Sequence, residues 1–201
     1  MTLVNDNIDS LSNLECKMSE DAVISAHLLE RIGRLIRTEE QVSGLYPAQW
    51  SALRYLARAN RFSRTPMALA HYLGSTRGTV SQTLIALERK GFIKRTQSLR
   101  DKRSVDIDLT ASGRELLKSD PILDLANDIE WASNAHSSDA RDVLERILTQ
   151  LISSNDGRPF GQCKTCRHFR AQGEKEPHFC GLLEVDLSHS DSEKICLEQE
   201  N

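Results

Sequence analysis

The chain has 201 residues, enough for one domain of ordinary size and an appendage, and it is rich in charge (27%), poor in aromatics (5%) and net negative by 3. No apolar run approaches the roughly 20 residues that span a bilayer. Asp6, Asp9 and Glu15 stand where a secretory leader would be basic and then apolar, so the expectation is a cytoplasmic, helix-rich protein with no membrane partner.

Residues 1–18 read as a polar N-terminal arm. Its one cysteine, Cys16, sits among Glu15, Glu20 and Asp21 with only Lys17 as a nearby cation, so an inert exposed thiol is expected rather than an oxidation sensor, which needs positive charge close by. Ala22, Val23, Ala26, Leu29, Ile32, Leu35 and Ile36 predict a helix over about 20–41, with an apolar face too wide for a lone surface helix. Pro47 suits the first turn of a second helix that directs Trp50, Leu53, Leu56 and Ala57 to the core, although Tyr46 is a poor cap. Thr65 before Pro66 caps a third, with Met67, Leu69, Ala70 and Leu73 on its apolar face and Gly74 as its stop.

Ser75 or Thr76 then caps a fourth helix. Val80, Leu84 and Leu87 recur there at i, i+4 and i+7 as one buried stripe, and Gly91 marks its end. Arg77, Thr79, Ser81 and Gln82 lie largely off the stripe, at the end of the helix that a helix-turn-helix inserts into a major groove. Phe92 and Ile93 open a strand; Val105, Ile107 and Leu109, alternating with Asp106 and Asp108, form a half-buried return strand. From Arg89 to Arg103 there are seven Lys or Arg against the single acid Asp101, a local reversal of the net charge that suits a DNA-contacting wing. Thr110 caps a further helix, Asp120-Pro121 interrupts it, and Pro121 opens a segment with Ile122, Leu125, Ile129 and Trp131. A last helix over about 138–153 carries Val143, Leu144, Ile147, Leu148, Leu151 and Ile152, so both ends of this region expose apolar faces that a second protomer would cover.

Gln49-Trp50, Leu69-Ala70, Thr79-Val80-Ser81, Leu87-Glu88 with Gly91-Phe92-Ile93-x-Arg95, Asp101-Lys102-Arg103 and Leu109-Thr110-x-x-Gly113 occur in an order and spacing that resembles the MarR family of winged-helix regulators, over roughly residues 22–152. The resemblance implies a homodimer on a palindromic operator in double-stranded DNA, repression in most cases, and release by a small-molecule effector or by cysteine oxidation. DNA-contact candidates are Ser75, Thr76, Arg77, Thr79, Ser81 and Gln82 on the helix, and Arg95, Arg100, Asp101, Lys102 and Arg103 on the wing. The family pattern gives Asp101 the task of holding Arg103 or a neighbouring arginine in place. The fold class expected is mainly α with a small β-hairpin wing: an arm (1–18), a winged-helix and dimerisation domain (19–153), a linker (154–161) and a cysteine-rich tail (162–201). No nucleotide-binding loop, interpretable catalytic triad or paired carboxylates are found, so no enzyme is expected.

The tail holds Cys163, Cys166, Cys180 and Cys196, four of the five cysteines. In a reducing compartment, a Cys-x2-Cys pair followed by two single cysteines reads as a metal site, and the few large apolar residues nearby suggest a module that needs its metal to fold. Zinc is the commoner tenant of four thiolates and is slightly favoured. An iron–sulfur cluster is the alternative: a single knuckle, Phe169 and two separated cysteines are similar to the pattern of high-potential iron–sulfur proteins, without their aromatic-rich end. His168 is a reserve ligand should Cys196 lie too far away. A second function is therefore carried forward, an iron–sulfur redox or electron-transfer protein that uses the winged helix as a docking platform.

Overall fold

The computed structural model describes residues 19–42, 44–98, 104–133, 137–154, 160–173 and 177–200. The arm with Cys16 and the wing tip with Arg100, Asp101, Lys102 and Arg103 lie outside the described residues.

The described residues begin with a long helix, α1 (Glu20–Val42), followed by α2 (Pro47–Arg58), α3 (Pro66–Leu73) and α4 (Arg77–Arg89). Two antiparallel strands, β1 (Ile93–Gln97) and β2 (Val105–Leu109), then pair with Ile93 opposite Leu109 and Gln97 opposite Val105. Next come α5 (Ala111–Leu116), a 3-10 turn (Leu117–Ser119), α6 (Ile122–Ala132) and α7 (Ser137–Ser154). None of the described helices is long and apolar enough to cross a membrane.

Helix α2 is the centre of the core. Trp50, Leu53 and Leu56 are buried as expected, and Leu69, Val80, Leu84, Leu87, Ile93 and Ile107 pack around them. Ala57, by contrast, is exposed, and Ala52, Tyr55 and Ala59 are buried in its stead. The cause is the C-terminal segment, which covers the Tyr55 and Ala59 side of α2 through Phe160 and Ile195 and leaves Ala57 at the edge of the buried arc. On α3 it is Ala68 rather than Met67 that joins Leu69 and Ala70 in the core; Met67, in the first turn, faces solvent. The weak cap at Tyr46 is compensated by Gln49, whose side-chain oxygen accepts from the Tyr46 amide at 3.3 Å.

Buried charge fixes the angle between the ends of the domain. Arg54 on α2 pairs with Glu40 near the end of α1 and with Asp120 ahead of α6, donating to Asp120 from Nε at 2.8 Å, and both carboxylates are almost fully buried. Gly113 in α5 lies so close to the β1 entry that a Cβ would stand 2.1 Å from the Phe92 carbonyl oxygen, so only glycine fits there. Outside this core, α1 exposes Ile24, Leu28 and Leu35, α7 exposes Leu148 and Leu151, and Trp131 on α6 is 83% exposed.

The tail is a small β module. Strands β3 (Gly161–Gln162) and β7 (Ile195–Cys196) pair antiparallel, and β4 (Phe169–Arg170), β5 (His178–Cys180) and β6 (Val185–Leu187) form a three-stranded antiparallel sheet. A single-turn helix, α8 (His189–Ser192), joins β6 to β7. Ile195 and Leu197 of this module belong to the winged-helix core itself.

Candidate nucleic-acid interface and cysteine pocket

The connection from α3 to α4 is built by local chemistry. Thr65 accepts from the Ala68 amide at 3.2 Å to start α3, and Gly74 closes it in the left-handed region at φ 56°. Thr76 accepts from the Thr79 amide at 3.2 Å and starts α4; Ser75, the other expected cap, is half-buried and donates its own amide to the Ala70 carbonyl at 3.0 Å. Val80, Leu84 and Leu87 are locked in the core, which leaves Arg77, Thr79, Ser81 and Gln82 exposed at the capped end of the helix. Arg77 and Ser81, one turn apart, form a single row, with Gln82 beside it. The Thr79 hydroxyl is 2.9 Å from that of Thr76, so the two act as one polar cluster.

Not every cation of the expected basic run faces outward for a ligand. Arg95 on β1 donates to Glu88 on α4, from its amide at 3.2 Å and from Nε at 2.8 Å, and this contact, opposed only slightly by burial, holds the Glu88 carboxyl below its ordinary pKa. Lys90 bonds the Gly44 carbonyl at 3.2 Å and Gln49 Oε1 at 3.3 Å, tying the end of α4 to the α1–α2 turn. Both residues, though exposed, therefore tie α4 to the wing and to the α1–α2 turn; Arg77 on α4 and Arg89 and Lys94 of the run are exposed as well.

The wing is also tied to the α2–α3 connection. Arg64 donates to the Ala59 carbonyl and to Asp108 Oδ1, each at 3.1 Å, and the Ile107 amide donates to the Arg64 carbonyl at 2.8 Å. That connection, residues 59–65, is where the cysteine module docks. Ala59 bridges to Ile195, the Asn60 amide donates to the Ile195 carbonyl at 2.9 Å, and the Leu197 amide donates to Ser63 Oγ at 2.9 Å. Arg61 donates to buried Asp191 Oδ2 at 2.8 Å and also to the Asp186 carbonyl. Asn60, fully buried, works in both directions: its Oδ1 accepts from the Phe62 and Ser63 amides, and its Nδ2 donates to Cys163 Sγ at 3.1 Å.

All four tail cysteines line one recess, with Phe169, Leu182, Leu183, Leu187 and Glu198 as the other walls. The cavity between these walls is about 20 Å³, room for roughly one water, and is partly open to solvent. All four are free thiols, Cys163 and Cys196 buried and the other two half-buried. The Cys196 thiol is pushed down, chiefly by hydrogen bonding from Cys163 against the opposing effect of burial, and its partner Cys163 is pushed up by the same contact and by burial. Among the described residues, no group of three or more His, Cys, Asp and Glu is arranged to hold a metal ion. His168 is not among the recess walls; its Nε2 lies 3.2 Å from Glu200. His178 and His189 contact each other at 3.0 Å. Asn60, Arg61 and Ser63 carry no sequence signal beyond that of an ordinary turn, since their partners lie more than a hundred residues away.

A two-helix reading unit with its second helix capped, anchored and exposed, followed by a β hairpin, defines a winged helix-turn-helix protein. Residues 43–104 match the model of the MarR family. The transcriptional repressor MprA of Escherichia coli strain K12 is 28% identical over 133 residues, covering 66% of this chain and 73% of the relative. The structure of a MepR–DNA complex from S. aureus is similar at 25% identity with a TM-score of 0.50, covering 64% of this chain and 96% of that one. Streptococcus pneumoniae FabT, solved in complex with DNA, is similar at 24% identity and a TM-score of 0.52, over 68% of this chain and 98% of that one. About a third of this chain thus has no counterpart in either solved structure.

Proposed function

We propose that the chain is a sequence-specific, DNA-binding transcriptional regulator that acts in the cytoplasm as a homodimer, most directly as a repressor. The observation that carries this reading is the division of α4. Its buried stripe holds the helix rigid, and its exposed polar row projects from the capped end. Such a helix fits a major groove about 12 Å wide, where Arg77 can pair with a guanine edge while Thr79, Ser81 and Gln82 reach neighbouring bases and phosphates. Ser75 and Thr76 sit at the helix start, where backbone amides favour phosphate. Arg95, held by Glu88, sets the direction of the wing, and Arg100, Lys102 and Arg103 are assigned to the backbone or the minor groove, with Asp101 orienting Arg103. The repressor MprA and the two proteins solved with DNA support the reading by likeness.

The homodimer is assembled from the apolar faces of α1, α6 and α7, which the described part of one chain leaves exposed. It sets two α4 helices into successive grooves about 34 Å apart. A small-molecule effector between the dimer helices and the winged region is compatible with this assembly, because a modest shift of the helices displaces both reading heads. The competing reading, an electron carrier docked through its winged helix, gives no role to the exposed row on α4. Selection of binding sites from random duplexes by the full-length protein tests the proposal. Enrichment of two inverted half-sites one turn apart is expected; recovery of random sequence would contradict it.

A further inference from the structure

We infer that Asp191 is a positioning residue for DNA reading: through Arg61 it seats the C-terminal module on the α2–α3 connection and so fixes α3 and the wing relative to one another. This rests on the regulatory function proposed above.

The module grips α3 at both ends. Near the end of the helix, Tyr72 meets Phe160 edge-on with ring centres 5.2 Å apart, and Tyr72 in turn lies 4.7 Å from Tyr55 of α2. Ahead of its start, the 59–65 connection is held from two flanks. Asn60, Arg61 and Ser63 bond the module, while Arg64 bonds the wing through Asp108 and the Ile107 amide. Thr65, next in the chain, caps α3. A displaced module therefore disturbs the first helix of the reading unit and the base of the wing together.

Among these contacts the pairing of Arg61 with Asp191 sets the seat. The Asp191 carboxylate is only 5% exposed, and away from Arg61 it would be a buried charge without its cation. Arg61 reaches both of its oxygens, Oδ2 from Nη1 at 2.8 Å and Oδ1 from the main-chain amide at 3.4 Å. Ser188 Oγ also donates to Oδ2 at 2.8 Å and fixes the direction of the carboxylate. The same guanidinium bonds the Asp186 carbonyl and lies over the Phe62 ring at 4.6 Å, so one side chain meets two parts of the module from a single place in the connection. These bonds have direction, whereas the apolar contacts of Ile195 and Leu197 with the core have none.

Specific reading engages base edges with α4 while the wing is also in place; sequence-independent binding uses phosphates alone. Loosening the seat therefore costs operator affinity and spares affinity for random duplex.

The test compares full-length wild type with Asp191→Asn, Arg61→Gln and the double variant, on the duplex enriched by selection and on a random duplex. Asp191→Asn is expected to weaken operator binding roughly tenfold, with random-duplex affinity and helical circular dichroism unchanged. Arg61→Gln alters a half-exposed side chain and reports on the same pairing without touching the buried position. The double variant is expected to lose no more than the weaker of the two single variants, because both substitutions break one pairing. Wild-type operator affinity in the folded single variants overturns the inference, as do equal losses on both duplexes or losses that add in the double variant. Hydrogen exchange on the same proteins reads the seat without DNA. Both single variants should speed exchange at the Asn60, Leu197 and Ile107 amides, and unchanged protection at all three overturns the inference as well. A wild type with no preference for the selected duplex refutes the regulatory reading, and the exchange rates still decide whether Asp191 seats the module.

Discussion

At the scale of single residues, the account makes Arg77 a reader and Thr76 a builder. Arg77→Ala should weaken binding by about 1–3 kcal/mol and relax the preference at one base position of each half-site, with the fold unchanged. Thermal melting together with fluorescence anisotropy on operator variants checks this; uniform weakening across all variants would make Arg77 a phosphate contact only. Thr76→Ala removes the hydrogen bond to the Thr79 amide and should cost about 1 kcal/mol of stability by denaturant titration. Ser63→Ala should cost about 1–3 kcal/mol, because it leaves the buried Leu197 amide without its acceptor. The cap at Thr76 could be read from the sequence, since its partner is three residues away. The Ser63 bond could not, because no local pattern links it to Leu197.

At the scale of elements, the same division holds between near and far. The α3–α4 unit, the half-buried alternation of β2 and the interruption at Asp120-Pro121 follow from spacing, capping residues and alternation, all of which are local. What spacing did not reveal is how α2 is covered. Its apolar residues spread around most of the helix, and only the docked tail decides that Tyr55 and Ala59 are buried while Ala57 is not. In the same way, the basic run from Arg89 to Arg103 reads as one footprint until Lys90 and Arg95 are found tied to Gln49 and Glu88. The Arg54 pairing with Glu40 and Asp120 joins α1, α2 and the approach to α6. Arg54→Met strands two buried carboxylates and should cost about 3–5 kcal/mol, with a lowered denaturation midpoint. A loss under 1 kcal/mol would show that water reaches and screens both carboxylates.

In the proposed homodimer, function follows from two copies acting together. One chain supplies one reading head, and the exposed apolar residues of α1 and α7 supply the means to pair. Leu148→Glu combined with Leu151→Glu should yield monomers in light scattering and lose most operator affinity, because a single half-site forfeits the second set of phosphate contacts. The tail adds a second layer, a module whose strands enter the winged-helix core beside the start of the reading unit, and what its cysteines do is a separate question from whether the heads read DNA.

That question of DNA reading is central, and the salt dependence of operator affinity tests it most directly. For the dimer on its selected duplex, the account predicts a steep linear fall of log affinity with log salt, roughly 10³- to 10⁵-fold between 50 and 200 mM if 6–10 phosphates are contacted. Replacing Arg100, Lys102 and Arg103 with alanine should flatten that slope by about one unit for each phosphate contact removed. An affinity indifferent to salt, or a slope unchanged by the triple substitution, would contradict the reading of this chain as a wing-bearing DNA regulator.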